Sequence, residues 1–212
     1  MKIAVIGASG KTGRVFVNAA LGAGYDIRAG VYRSEVFKSS DHLEVIKIDA
    51  LKGGDVDTLV AGCDAVVSII GHVADSPAYL QTTAISNVLS AMKRHRVNRL
   101  ISLTGTGVRQ AGDAPSLIDI LVNLSIRITD PARMHDGRAQ ADVIRDSEMD
   151  WTIVRVLKLT DGLEQNYSLT DGGPALALVS RHTAAEALLR ILHDRSHIRQ
   201  MPVISRGERV LG

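Results

Sequence analysis

The chain has 212 residues, a net charge of +2 and one cysteine, Cys63. This length suits one α/β domain with a substantial core. The basic residues are scattered along the chain, so we expect no nucleic-acid partner. A single cysteine excludes an internal disulfide and is typical of a reducing compartment. The sequence has no signal-peptide pattern and no uninterrupted apolar segment of membrane-spanning length, which predicts a cytoplasmic protein without a membrane partner.

A compact apolar run, 3–6, opens the chain and leads into a glycine-rich turn. The turn reads Gly7-Ala8-Ser9-Gly10-Lys11-Thr12-Gly13, and a helical pattern follows over 14–21. A strand that feeds such a turn and a helix places backbone N–H groups and the positive end of the helix dipole against a phosphate. The sequence therefore predicts a dinucleotide site whose contacts come from the turn, namely Gly7, Ser9, Gly10, Lys11, Thr12 and Gly13.

The end of the second predicted strand, 27–32, indicates which dinucleotide binds. An NAD site usually carries Asp or Glu about 20 residues after the glycine turn, where it binds the ribose 2′-hydroxyl. This chain has Arg33 and Ser34 there. A guanidinium is suited to a phosphate monoester, and Ser34 adds a hydroxyl donor, so NADP(H) is favoured over NAD(H). The alternative is that Arg33 is a solvated loop residue.

Short apolar runs and helical patterns alternate along the rest of the chain. Further strands are predicted at 43–48, 65–70, 99–103, 151–156, 176–180 and 202–205. Helices are predicted at 55–61, 77–96, 131–146 and 182–193, the second of them starting at Pro77. This alternation predicts one α/β domain over residues 1–212, with a doubly wound parallel sheet and helices on both faces.

Ligands of such sheets bind across the carboxyl ends of the strands. The expected cleft therefore also contains residues that follow later strands, namely Asp49, Ile70, Gly71 and Thr104. Asp49 is expected near the adenine, and Gly71 near the ribose and pyrophosphate. Two segments, 107–128 and 157–174, are expected to form substrate lids over the cofactor. The apolar part of the first could instead contact a second subunit, which leaves monomer and homodimer both open.

The chain resembles the atypical short-chain dehydrogenases/reductases, the group that includes NmrA-like and biliverdin reductase B-like proteins. The glycine turn, the strand ending at Arg33, and the segments 139–142, 147–155 and 180–184 carry this resemblance. It implies a Rossmann-type fold and NADP(H) binding through the turn and Arg33, with Arg155 also in the cofactor site. It further implies reduction of quinones, flavins or related carbonyl compounds. The group also contains epimerase-like members and redox sensors that bind the cofactor without turnover.

The Tyr-x-x-x-Lys pair, which many members of this superfamily use for acid–base catalysis, is absent. Four residues after the tyrosines at 25, 32, 79 and 167 stand Ala29, Val36, Thr83 and Asp171. In the region where the pair normally falls, His135 carries an imidazole, the side-chain type that can donate a proton at neutral pH. An exposed histidine at a helix start is the commoner situation for such a residue. Thr104 and Thr106 are candidates to orient a carbonyl oxygen, or else to cap the strand end.

Two functional hypotheses follow. The first is an NADPH-dependent reductase of a small planar acceptor, because hydride transfer needs little from the protein beyond orientation. The second is an NADP(H)-binding redox sensor without turnover, which the missing pair favours. A sugar epimerase or dehydratase is disfavoured, since it must deprotonate a hydroxyl. His193 and His197 lack a third ligand at a suitable spacing, so no metal is expected.

Overall fold

The computed structural model describes residues 1–32, 36–72, 76–163 and 165–207. Its strands are β1 (Lys2–Ile6), β2 (Asp26–Val31), β3 (Leu43–Lys47), β4 (Ala65–Ser68), β5 (Arg99–Gly105), β6 (Asp150–Val156), β7 (Leu159–Thr160), β8 (Tyr167–Thr170), β9 (Val179–Ser180) and β10 (Val203–Arg206). Its helices are α1 (Lys11–Gly22), α2 (Gly53–Val60), α3 (Leu80–His95), α4 (Leu117–Thr129), α5 (Pro131–Arg145) and α6 (Arg181–Asp194).

Eight strands form one sheet in the order β3-β2-β1-β4-β5-β6-β10-β8. All neighbours are parallel except β8, which runs antiparallel to β10. Side chains alternate between the two faces of a strand. In β1, Ile3 and Val5 pack in the cluster that includes α1 and α6, whereas Ala4 and Ile6 pack in the cluster that includes α2, α3 and α5. The expectation of a doubly wound Rossmann-type sheet is therefore confirmed.

Several predicted boundaries differ from the observed ones, among them those of α3 and β9. Helix α3 begins at Leu80 rather than at Pro77, because the Pro77 carbonyl accepts the Leu80 N–H in a turn before the helix. The predicted strand 176–180 shortens to β9, which pairs with β7 outside the main sheet.

Strand β8 lies inside the expected lid segment 157–174 and was not predicted. It reads Tyr-Ser-Leu-Thr and is half-buried along its whole length, and it is an edge strand of the sheet. Part of that segment therefore belongs to the sheet. Within the described residues, no helix has the length and hydropathy needed to cross a membrane.

Arg99 lies at the amino-terminal edge of the sheet, opposite the edge where the cofactor is expected. Its guanidinium donates to the Asp150 carbonyl (2.7 Å), the Thr152 hydroxyl (2.9 Å) and the Ser196 carbonyl (3.1 Å). The residue is 5% exposed, and burial lowers its pKa to about 10. A cation near the last turn of α6 also complements the helix dipole. Arg99 therefore joins β5, β6 and the end of α6.

Replacing Arg99 with leucine should lower the free energy of unfolding by about 2 to 4 kcal/mol, because several buried acceptors would lose their donor. Urea unfolding measures this change. Arg195→Leu is the matched control. The Arg195 side chain is 71% exposed, and its ion pair with the Asp150 carboxylate is long, at 3.9 Å. We expect NADPH affinity to stay within twofold in both variants, because both sites lie across the sheet from the glycine turn. Equal stability losses in the two variants would contradict the role of Arg99.

Candidate functional site

The glycine turn between β1 and α1 depends on backbone contacts that side chains would block. Gly7 has a φ of +82°, and a β-carbon there would lie 2.9 Å from the Ile69 carbonyl oxygen. A β-carbon at Gly13 would overlap the carbonyl oxygen of Gly7. The Gly10 N–H closes the turn by donating to the Gly7 carbonyl at 3.1 Å. These contacts explain why glycine is needed at Gly7 and Gly13.

The amino terminus of α1 offers backbone donors to a ligand. Its N-cap residue is Gly10, and no side chain caps the helix. Gly10 and Lys11 are exposed, Ser9 is half-buried and Thr12 is buried. Uncapped N–H groups at the positive end of a helix bind phosphate well. These residues therefore fit the pyrophosphate of a dinucleotide.

The neighbouring strand ends lie at the same edge of the sheet. The chain after β4 continues beside β1, where the Ile69 N–H donates to the Ile6 carbonyl (2.9 Å). Ile70 then follows half-buried, and Gly71 is exposed with open space around it. Thr104 is half-buried near the end of β5. Because β1, β4 and β5 are adjacent and parallel, these residues surround the end of the glycine turn.

Two of the expected cofactor contacts, Arg33 and Ser34, lie outside the described residues. They follow β2, whose end at Val31 is at the same edge of the sheet. Asp49 follows β3 and shapes the start of α2. Its carboxylate accepts the Leu51 N–H (3.0 Å), and its own N–H donates to the Asp55 carboxylate (2.8 Å).

Arg155, expected in the cofactor site, is fully buried within the protein. Its guanidinium donates to the Asp113 carboxylate (2.9 Å), the Val108 carbonyl (3.1 Å) and the Met201 carbonyl (2.8 Å). Burial tends to raise the pKa of Asp113, but the hydrogen bonds from Arg155 and the Gln110 N–H, together with the charges of Arg155 and Arg109, hold it below its ordinary value. Arg155 therefore fixes the loop after β5 and the chain before β10, and its side chain does not face the glycine turn as a ligand would.

Thr106 is also occupied by an internal network. Its hydroxyl donates to Asp119 (2.7 Å) and accepts from the Asn123 amide (3.1 Å). Arg109 donates to the other oxygen of the same carboxylate at 2.8 Å. Thr106 is 2% exposed and Asp119 is 1% exposed. Of the two candidate threonines, Thr104 is thus the one at the open edge, and Thr106 fastens α4 to the end of β5.

The candidate proton donor His135 lies on the exposed side of α5. Its ring meets that of Tyr79 edge-on, with centroids 5.8 Å apart, and Tyr79 is itself 55% exposed. The next residue, Asp136, points inward instead and is fully buried. Within one turn of α5, the helix therefore presents an exposed imidazole and a buried carboxylate.

Asp136 receives four hydrogen bonds that join three segments. One oxygen accepts from the Thr82 N–H (2.9 Å) and the Thr82 hydroxyl (2.6 Å), and the other accepts from the Gln81 N–H (2.8 Å) and His72 Nε2 (2.8 Å). Helix α3 has no cap of its own at Tyr79, so Asp136 caps it from another helix. Burial tends to raise the pKa of Asp136, but these donors outweigh it and lower the pKa.

This network was missed by the sequence analysis. The side chain of His72 is 6% exposed, and it follows β4 by four residues at the cofactor edge. Gly137, next to Asp136, lies close to this edge, since a β-carbon there would be 3.8 Å from the Thr104 hydroxyl and from the Gln81 amide oxygen. The absence of a capping residue at the start of α3 is a sequence signal that some other group must cap it. No sequence spacing links His72 to Asp136.

The two expected lid segments meet at a cavity of about 460 Å³. It lies between the start of α4 and the strands β8 and β10. Its lining is mixed polar and apolar, and includes Ser116, Ile118, Thr170, Leu176 and Ser205. The described residues contain no cluster of three or more metal-ligating side chains.

These features define a nicotinamide-dinucleotide-binding Rossmann protein, and the comparison with known families agrees. A model of the NAD(P)H-binding family matches residues 7–195, so the chain belongs to that family. It is similar to an uncharacterized chloroplastic protein of Arabidopsis thaliana, with 24% identity over 98% of this chain and 78% of that protein.

Solved structures of similar proteins share the fold. One is a short-chain dehydrogenase/reductase from Veillonella parvula in complex with NADP, with a TM-score of 0.80, 19% identity and coverage of 99% of this chain and 95% of that one. Another is the oxidoreductase ylbE from Lactococcus lactis, with a TM-score of 0.81, 16% identity and coverage of 98% and 92%.

Replacing Asp136 with asparagine should lower the free energy of unfolding at pH 7 by about 2 to 4 kcal/mol, because one amide NH₂ would then face donors. Because the folded-state pKa of Asp136 is lowered, its carboxylate stabilises the fold above about pH 4, and this stabilisation is lost as the pH falls further. The difference between the variant and the wild type should therefore shrink at pH 3. Urea unfolding at both pH values measures it.

Asp142→Asn is the matched control for this experiment. Asp142 lies on the same helix, its side chain is 68% exposed, and its ion pair with Arg145 is long at 3.5 Å. A surface pair of this kind contributes little to stability. A loss in Asp136→Asn no larger than in the control, or one independent of pH, would contradict the assignment.

Proposed function

We propose that this protein is an NADPH-dependent reductase of a small planar acceptor such as a quinone or a flavin. The observation that carries the proposal is the uncapped amino terminus of α1, which the glycine turn holds at the sheet edge beside Thr104 and His72. When bound, the cofactor supplies the hydride. The protein has to hold the cofactor, orient the acceptor and exclude water.

The choice of NADPH over NADH rests on Arg33 and Ser34. In the sequence both follow β2, the strand next to β1, and the residues after this strand are the ones that bind the adenosine ribose in a Rossmann site. A guanidinium can hold a 2′-phosphate with two hydrogen bonds, and the three residues directly after β2, Tyr32, Arg33 and Ser34, include no carboxylate. Lys11, exposed in the turn, adds a second positive charge near the phosphates.

The acceptor is proposed to bind where the two lid segments meet. The lining of the cavity between α4 and β8 includes Ser205 and Arg206, the last two residues of β10, which is parallel to β6. Its apolar residues suit a planar ring, and its hydroxyls can bind a carbonyl oxygen of the acceptor. The Thr104 hydroxyl is proposed to orient the reacting group closer to the cofactor.

Two histidines are candidates to supply a proton to the reduced acceptor. His72 is the better supported, because its side chain is buried and its Nε2 is held by the Asp136 carboxylate, which orients the ring. His135 is exposed, and the Tyr79 ring is the contact that orients it. A buried, oriented histidine at the cofactor edge favours a reductase over a sensor without turnover.

A direct test mixes the protein with NADPH and a panel of quinones, flavins and redox dyes, and follows nicotinamide absorbance. We expect turnover with at least one planar acceptor. Tight NADPH binding without turnover on any of them would contradict the reductase proposal and favour the alternative, a redox sensor. The missing Tyr-x-x-x-Lys pair is the observation that supports this alternative.

Replacing Arg33 with aspartate should weaken NADPH binding at least tenfold, an effect of about 1.4 kcal/mol, because a carboxylate would repel the 2′-phosphate. NADH binding should stay the same or improve. Fluorescence titration of both cofactors measures this. Arg145→Asp, a surface arginine at the end of α5, controls for the change in net charge. An unchanged preference for NADPH in Arg33→Asp would show that Arg33 does not bind the phosphate.

His72→Gln and His135→Gln separate the two candidate proton donors. We expect His72→Gln to lower kcat about 10² fold, the usual contribution of a positioned acid, while the dissociation constant for NADPH changes less than threefold. His135→Gln should retain most of the activity. The pH dependence of kcat should be lost in His72→Gln if this residue gives the proton. The opposite pattern would assign that role to His135.

A further inference from the structure

Helix α4 exposes most of its large apolar side chains, whereas an ordinary surface helix buries them. Of its thirteen residues, all described, Asp119 alone is buried. The polar network of Thr106, Asn123 and Arg109 holds Asp119 against the body of the protein. The large apolar side chains therefore face outward. An apolar face turned to solvent in this way marks an interaction surface.

Four of these exposed side chains form a narrow stripe along the helix, which we call the α4 stripe; Ile118 (49% exposed) and Ile120 (46%) lie beside it. Its members are Leu117 (80% exposed), Leu121 (64%), Leu124 (49%) and Ile128 (72%). Their spacing is four, three and four residues, the spacing by which one helix packs along another in a coiled coil. The stripe therefore fits a partner helix.

We propose that the α4 stripe binds the α4 stripe of a second copy of this chain, antiparallel about a twofold axis. The spacing of four, three and four reads the same in both directions. A twofold axis midway between Leu121 and Leu124 therefore sets Leu117 against Ile128 of the second copy, and Leu121 against Leu124. A self-complementary surface of this kind is what an isologous dimer requires.

Other occupants fit the helix less well. A helix that lies on a membrane usually has basic residues on its polar face. The inward side of α4 holds Asp119 and Asn123 with the half-buried Val122 and Ile126, and Arg127 is the one basic residue of the helix. A single pair of helices buries less than the roughly 800 Å² per partner of a standard interface, so the dimer should be weak, with a micromolar dissociation constant.

This dimer would lie close to the proposed site. Ile118 of α4 lines the cavity between the lid segments, and the Thr106–Asp119 bond joins α4 to the chain that follows Thr104. Pairing of the helices would hold one wall of the cavity in place.

Sedimentation velocity from about 1 to 500 μM tests the association. We expect a concentration-dependent shift from the 22.7 kDa monomer to a dimer. Leu121→Glu should raise the dissociation constant at least about tenfold, because it places two charges in the seam. Leu163→Glu is the matched control, since Leu163 is 90% exposed and lies outside the α4 stripe. Equal weakening by both variants would overturn the proposal.

Disulfide cross-linking tests the register and direction. The variants Leu117→Cys and Ile128→Cys are oxidised separately and as an equal mixture. In the antiparallel pair, position 117 of one copy is 11 residues, about 16 Å, from position 117 of the other along the helix axis, and the same holds for position 128. Position 117 of one copy is instead opposite position 128 of the other. We expect disulfide-linked dimers mainly in the mixture. The native Cys63 is 7% exposed, and oxidation of the wild-type chain measures how much cross-linking Cys63 itself contributes.

Two further results would also overturn the proposal. Cross-linking of either variant alone, as fast as in the mixture, would contradict an antiparallel pair in this register. A chain that stays monomeric throughout the range, but sediments with vesicles of phosphatidylcholine and phosphatidylglycerol, would show that α4 contacts a lipid surface instead. Neither assay depends on catalytic activity, so each result is independent of the proposed reductase function.

Discussion

The close approach of α1 to β1 is the constraint on which the rest of the site depends. It exists because Gly7 and Gly13 have no β-carbon, so that the turn can lie against the Ile69 backbone and the helix against the turn. This packing directs the uncapped N–H groups of α1 toward the sheet edge where β4 and β5 also end. Any side chain at Gly13 would move the helix, and with it the donors for the phosphates.

Buried charges position the loops around that edge. Asp136 joins His72 and the start of α3 to α5, and Arg155 joins the loop after β5 to the chain before β10. Each is buried and has several hydrogen-bonding partners, so removing one group would leave others unpaired. The same residues that stabilise the fold therefore fix the geometry of the site, and loss of either should change both stability and function.

Asp119 links this interior to the outer surface. By holding the polar side of α4 against Thr106, it leaves the α4 stripe exposed. A helix with an apolar outer face is unfavourable in an isolated monomer unless something covers it. The proposed pairing of two copies would remove that cost and would stabilise a wall of the proposed acceptor cavity in the same step.

The sequence by itself determined the Rossmann-type fold and the membership of the NAD(P)H-binding family. Both depend on local patterns, namely alternating apolar runs and the spacing of Gly7, Gly10 and Gly13, whose physical meaning needs no distant contact. The roles of Arg155, Thr106 and Asp136 were decided by the tertiary structure. Each depends on whether a polar side chain is enclosed and which partners enclose it, and those partners, such as His72 for Asp136, are 13 to 64 residues away in the chain. A sequence pattern can show which chemical groups are present, but only the packing decides which of them are already used.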